Sequence, residues 1–143
     1  REDGRWPLVF DASEKAAIFF RYSGAAFFDI AELAVFTVSE ELEDQQRLLL
    51  ALLKHLKYGG EVVINLGDDL AKLSVAEEAF NAIQCEFFNV FMDRSVLYSY
   101  LLPRRFLQLV PPEVADDYTE LMFDDELLSK FVLVFVVGVD EPS

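Results

Sequence analysis

Glu61-Val62-Val63-Ile64-Asn65-Leu66 is the stretch on which the fold turns. It is a short apolar run with no polar alternation, bounded by Gly59-Gly60 on one side and Gly67-Asp68-Asp69 on the other. A strand with one wet face alternates apolar and polar residues, whereas a parallel strand covered on both faces reads as a continuous run. The segment before it, Glu40–Lys57, is the clearest helix in the chain. Ser39 stands at its N-cap position. Glu40, Glu41, Glu43 and Asp44 sit at its positive end, and Lys54, His55 and Lys57 at its negative end. Leu42, Leu49, Leu52, Leu53 and Leu56 recur at helical spacing, so one face is expected to be buried. A helix feeding a fully covered strand is half of a βαβ unit.

The same alternation extends in both directions. Pro7–Asp11 reads as a strand, and Ser13–Tyr22 as a helix with Ala16, Ala17, Phe19 and Phe20 on its apolar face. Leu33–Val38 is β-branched and aromatic without a breaker, which predicts a second strand. Ser74 with Glu77 forms a capping-box pattern for a helix near Val75–Gln84. Phe87–Met92 reads as a weaker strand, Val96–Leu102 as a strand ended by Pro103, and Tyr118–Phe123 as strand-like. Asp124–Val137 reads two ways. Its acidic start followed by Leu127 and Leu128 suggests a helix, and its valine-rich end suggests a strand. Residues 1–143 are therefore expected to form one α/β domain, a three-layer α/β/α sandwich around a mainly parallel five-stranded sheet.

The bulk numbers narrow the function classes. The 143 residues carry 26 acidic against 12 basic side chains, a net charge of −14. Such a surface repels nucleic-acid phosphate and anionic lipid. No apolar run approaches the roughly 18 to 20 residues of a membrane span. A single cysteine, Cys85, excludes an internal disulfide and fits a reducing compartment. A start at Arg1 rather than Met gives the expectation of a piece cut from a longer protein.

In a parallel α/β sheet the ligand site lies beyond the carboxyl ends of the strands. A nucleotide-binding version needs G-x-x-x-x-G-K-[ST] after its first strand, because glycines let backbone N–H groups close on phosphate. Here that position reads Asp11-Ala12-Ser13-Glu14-Lys15-Ala16, with no glycine and two carboxylates. Lys15 is its one favourable group. A metal-binding acid is expected at the end of Val62-Val63-Ile64, where the chain has the neutral Asn65. Asp68 and Asp69 read as turn residues. His55 stands in the last turn of a helix, where a cation is favourable, and Cys85 reads as a core thiol. Arg104-Arg105 read as surface arginines. No catalytic residue, cofactor site or metal site is expected.

These residues resemble a family. Gly4-Arg5-Trp6-Pro7-Leu8-Val9-Phe10-Asp11 is similar to the R-W-P-L-x-I-D-P-Q-x-Q-A segment that opens the fifth AAA+ module of dynein heavy chains, directly after the stalk. Leu49–Leu70 resembles the family's L-E-x-A-I-x-F-G-x-P-V-L-L-E-N-V-G-E-E-L. Val96–Leu102 followed by Pro112-Glu113-Val114, then Tyr118–Phe123, resemble later segments in the same order. The departures are Ala12-Ser13 in place of Pro-Gln, the lost strand-end acid near Asn65, replacement of Thr-Thr near Ser99-Tyr100, and a hairpin trimmed to Asp93-Arg94. The resemblance implies a degenerate P-loop, AAA+ large subdomain without its helical lid, from a divergent dynein heavy chain-like protein. It implies no nucleotide hydrolysis in this module. It also implies partners in the neighbouring AAA+ modules and stalk base of one chain, within a microtubule motor complex. The implied setting is the cytoplasm and cytoskeleton, including a cilium or flagellum axoneme. It favours helix for most of Asp124–Val137 and a central Pro7–Asp11 with Val96–Leu102 beside it. Trp6, just before the first strand and away from the strand ends where ligands bind, is expected to be a packing anchor. Phe27, Phe28, Phe106 and Leu107 are the expected neighbour-facing residues. A free-standing α/β nucleotide-binding domain or enzyme using Asp11, Lys15 and Asp68 is the alternative.

Overall fold

The structure is a computed structural model and describes residues 6–13, 15–93, 107–119 and 123–139. Its elements run β1 (Leu8–Phe10), α1 (Lys15–Arg21), β2 (Ala26–Asp29), α2 (Ile30–Val38), α3 (Leu42–Tyr58), β3 (Glu61–Asn65), α4 (Leu73–Ile83), α5 (Phe87–Met92), α6 (Asp125–Lys130) and β4 (Val132–Val137). Short 3₁₀ turns lie at Leu70–Lys72 and Pro112–Asp117. Among the described residues the strands form one four-stranded sheet in the order β1-β4-β3-β2, parallel at every pairing.

The chain crosses the sheet in both directions, and this sets the layers. From β1 it jumps over two strand positions to β2, then returns through β3 to β4. Parallel crossovers keep a right-handed sense, so connections running in opposite directions lie on opposite faces. Accordingly α1 sets Ala16, Ala17 and Phe20 against Val63, Val134 and Val136 on one face. The alternate strand residues Val62, Ile64, Leu133, Phe135 and Val137 face the larger cluster formed with the other helices. That cluster includes Leu49, Leu52, Leu53 and Leu56 of α3, all at most 2 % exposed, as the leucine spacing predicts, and Leu48 joins them, while the side chain of Leu42 lies outside the description. Fully burying each such leucine stabilises by roughly 1.5–3 kcal/mol. No polar or charged side chain is buried among the described residues.

The α/β class and the parallel sheet agree with the sequence, but several elements do not. Val132–Val137 is strand β4, paired on both sides, and only Asp125–Lys130 of the tail is helix. Five of its six residues are buried. A β-branched run of that kind satisfies its backbone in the sheet while covering both faces with apolar side chains. Beside β1 therefore lies β4. The expected Val96–Leu102 strand falls outside the described residues, so four strands are seen rather than five.

Leu33–Val38 is the second half of α2, not a strand. The strand position is taken just upstream by Ala26–Asp29, which pairs with β3 in register Ala26↔Val62 to Asp29↔Asn65. Glu32 reaches back to accept from the Asp29 backbone N–H at 3.1 Å, and Leu33 and Phe36 then share the buried face. Phe87–Met92 is also helical. Phe87, Phe88 and Phe91 are buried there against Phe80 of α4. In Tyr118–Phe123, residues 120–122 lie outside the described residues, and Tyr118, Thr119 and Phe123 are not in strands.

Helix α3 ends at Gly59 in a left-handed conformation, φ 69°. A Cβ there would also lie 2.9 Å from the Leu127 carbonyl oxygen and 3.0 Å from the Lys130 Cβ. Both the backbone and the space therefore call for glycine. Gly59→Ala should lower stability by about 1–3 kcal/mol, seen as a lower urea midpoint with an unchanged slope. An unchanged midpoint would mean that α6 does not hold this approach.

Candidate functional site

The carboxyl ends of β1, β4 and β3 open onto a cleft of about 360 Å³ lined by Asp11, Ala17, Ile18, Arg21, Asn65, Gly67, Asp68, Val136 and Gly138. Its floor is tied together by the main chain. Asp11 N donates to the Val137 carbonyl at 2.8 Å, Leu66 N to that of Val136 at 2.7 Å, and Gly138 N to that of Gly67 at 2.6 Å. Gly67 has φ 76° with open space where a Cβ would be, so its glycine serves the turn and not a close approach.

Asp11 stands at the end of β1, and its carboxylate is already engaged. One oxygen accepts from the Ser13 hydroxyl at 2.6 Å, and the other accepts from the Ala16 backbone N–H in the first turn of α1. The Ser13 hydrogen bond, joined by backbone N–H groups, holds this carboxyl below its usual pKa despite some desolvation. An anion at a helix start is stabilised by the unpaired amides there. In a P-loop those amides receive phosphate, whereas here they receive the protein's own carboxylate. Of the remaining positions in 11–16, Ala12 and Ser13 are exposed, Lys15 projects from α1 into solvent, and Glu14 lies outside the described residues.

Asn65 occupies the strand end where a metal-binding acid is expected. Its Nδ2 donates to Asp29 Oδ1 at 3.0 Å, and its Oδ1 accepts from Gly67 N at 3.1 Å. Both ends of the amide are used, so the side chain fastens β3 to β2 and closes the turn. Asp29 in turn pairs with Arg21 at 3.1 Å, and the Arg21 guanidinium lies over the Phe27 ring at 4.6 Å. The cleft's one arginine is thus drawn toward Asp29. Asp69 accepts from Ala71 N at 2.9 Å and starts the 3₁₀ turn, while Asp68 is exposed. No group of three His, Cys, Asp or Glu side chains placed to hold a metal ion occurs among the described residues. Among the same residues no helix is long and apolar enough to cross a membrane.

Two other sequence readings change. Cys85 is exposed rather than core. It lies in the tight turn between α4 and α5, where Glu86 takes φ 64°, so Ile83 and Phe87 turn inward and the thiol does not. His55 is half-buried against Gly60 and is not a ready cation. Burial, and then the neighbouring Lys54 charge, lower its pKa from the usual 6.5. The folded chain therefore binds fewer protons at His55 than the unfolded chain does. Its contribution is intact above pH 6.5 and is lost as pH falls through the lowered folded value. Denaturation followed from pH 7.5 down to 5.5 should show that loss in the wild type and a flatter profile in His55→Gln. Equal slopes would contradict the assignment. Arg104 and Arg105 lie outside the described residues.

No family model matches the chain, and no solved structure matches it.

Proposed function

We propose that the chain is a non-catalytic structural module, a degenerate AAA+-like large subdomain of a dynein heavy chain-like protein. In this reading it relays conformational change between the stalk base and neighbouring ring modules during microtubule-based movement on the cytoskeleton. The observation that carries the non-catalytic part is the Asp11 carboxylate on the Ala16 N–H, an internal anion at the helix start where a P-loop holds phosphate. Asn65, bonded through both ends of its amide, supports the same reading at the metal-acid position. The parallel sheet, with its strand ends gathered at one edge, is compatible with a P-loop-type layout. The dynein part rests on the Arg5-Trp6-Pro7-Leu8…Asp11 resemblance and the colinear segments after it.

The test of the parent is the full reading frame around the chain. A heptad-patterned stalk before Arg1 and a further AAA+ module after Ser143 are expected. A frame holding neither would remove the dynein reading. The second reading, a free-standing nucleotide-binding domain or enzyme, draws on the cleft that Asp11, Arg21 and Asp68 line. It requires ligand stabilisation of about 2.7 kcal/mol at 100 times the Kd. Thermal unfolding with and without Mg-ADP separates the two.

A further inference from the structure

The segment 107–118 is tied to the rest of the fold in an unusual way. Among the described residues its backbone bonds stay within it. Val110 N donates to the Leu107 carbonyl at 3.3 Å, Val114 N to that of Pro111 at 3.1 Å, and Tyr118 N to that of Ala115 at 3.1 Å. The segment is thus a run of tight turns that satisfies its own backbone. Val110 is its one buried residue. Leu107, Leu109, Val114 and Tyr118 are half-buried against the core cluster, and Glu113, Asp116 and Asp117 are exposed. A stretch with few buried residues and only local backbone bonds belongs to the low-stability end of a protein and opens ahead of the core.

Among the described residues one polar bond joins this segment to another element. Lys57 Nζ, in the last turn of α3, donates to the Asp117 carbonyl oxygen at 2.8 Å. The same ammonium lies 4.9 Å from the centroid of the Tyr58 ring and 5.5 Å from that of Tyr118. A cation within about 6 Å of a ring face is attracted by the ring's quadrupole. One charge therefore gathers contacts from α3 and from the segment. Burial, offset in part by Lys57, raises the Tyr118 phenol above its usual pKa, so the ring stays neutral. Lys57 is itself half-buried, whereas Lys54 one turn earlier is exposed.

The other end of the segment meets a cavity. A space of about 340 Å³ lies between α2, α3 and α4, and Phe36, Leu48, Leu49, Ala79 and Ile83 line it together with Leu109. Leu109 is brought there by the segment and not by one of those helices. Leu49 and Lys57 stand about 12 Å apart along α3, at about 1.5 Å rise per residue. The segment thus runs along α3 from the cavity to Lys57.

We propose that residues 107–118 form a strap over the α2–α3–α4 cavity, latched by the Lys57 ammonium, and that removing or drawing off this one charge releases the strap along its whole length. The latch is at one end and the cavity at the other, so release at Asp117 is felt at Leu109. Glu113, Asp116 and Asp117 sharpen the response, because without the Lys57 charge they meet only the repulsion of a chain carrying −14. This goes beyond the contact-module reading and does not depend on it.

Amide hydrogen exchange and methyl NMR of the intact chain test the strap in two variants. Lys57→Met keeps the aliphatic stem and removes the charge and the donor. Exchange at Val110, Val114 and Tyr118 is expected to rise about tenfold in that variant. The Leu49 and Ile83 methyl signals at the cavity should shift with it, while the Leu53 and Val63 amides keep their wild-type protection. Lys57→Arg keeps a charge and donors and should stay within about twofold of wild type at the same amides. Unchanged exchange in Lys57→Met would overturn the proposal. So would a rise confined to Tyr118 with the cavity methyls unmoved, an equal rise at Leu53 and Val63, or an Arg variant as open as the Met variant.

Discussion

Replacing Trp6 by alanine is expected to lower the unfolding free energy by about 3 to 5 kcal/mol. Trp6 is 5 % exposed at the amino end of β1, on the opposite edge of the sheet from the strand-end cleft. Its ring meets Phe131 edge-to-face at 5.6 Å, with planes at 90°. Its Nε1–H donates to the Phe91 carbonyl oxygen. That carbonyl belongs to the last turn of α5, where carbonyls lack an intrahelical partner. One side chain thus fills space at the sheet's edge and satisfies a helix end. Trp6→Phe separates the roles, since it keeps an aromatic ring but leaves the carbonyl without this donor. A loss of about 1–3 kcal/mol is expected there. Chemical denaturation measures both, and an unchanged midpoint for Trp6→Ala would refute the anchoring role.

A comparable loss, about 3 to 5 kcal/mol, is expected for Phe80→Ala. Phe80 is fully buried in α4, and three rings of α5 surround it. Its centroid lies 5.5 Å from Phe88, 5.8 Å from Phe91 and 6.3 Å from Phe87. Helix α5 packs on α4 through these rings, so truncation leaves a cavity among them. Phe80→Leu keeps most of the volume and should cost less. Phe80 and Trp6 both act on Phe91, so the double variant should depart from the sum of the singles. Strict additivity would show that the two ends of this aromatic cluster are independent.

How far the sequence led is visible element by element. Periodicity identified α3 and β3, because leucines at helical spacing, of which Leu49, Leu52, Leu53 and Leu56 are buried, and a continuous apolar run have one physical solution each. It failed where two solutions compete. Leu33–Val38 has strand propensity, yet the neighbouring Ala26–Asp29 takes the ladder and Leu33 with Phe36 suit a helix face. Val132–Val137 was legible by propensity, and the resemblance drew it to helix. At the candidate site the lack of a glycine loop and the neutral Asn65 were readable as composition. What replaced them had no such signal, because the bond from Ala16 N–H to Asp11 spans five residues and is not the spacing of a capping box. The bonds that close Asn65 onto Asp29 and Gly67 depend on the sheet register and had no sequence signal.

Of the expected neighbour-facing residues, Phe28 is buried, Phe27 and Leu107 are half-buried, and Phe106 lies outside the described residues. Among the described residues the most exposed large apolar side chains are instead Ile18 and Phe19 of α1, Tyr22 just after it, Val35 and Val38 of α2, and Tyr58 at the end of α3. The helical pattern of Ser13–Tyr22 puts Phe19 on the apolar face, whereas it is exposed. Phe19 lies one position too far round the helix from Ala16, Ala17 and Phe20 to reach the strands.

The central proposal is that the strand-end cleft does not take nucleotide, and its support is the Asp11 carboxylate accepting from the Ala16 N–H at the start of α1. Calorimetric titration of Mg-ATP into the chain at neutral pH tests it most directly. No saturable heat is expected up to millimolar ligand, with the Ala16 amide signal unmoved in a parallel NMR titration. Saturable binding at micromolar concentration, with displacement of the Ala16 signal, would contradict it.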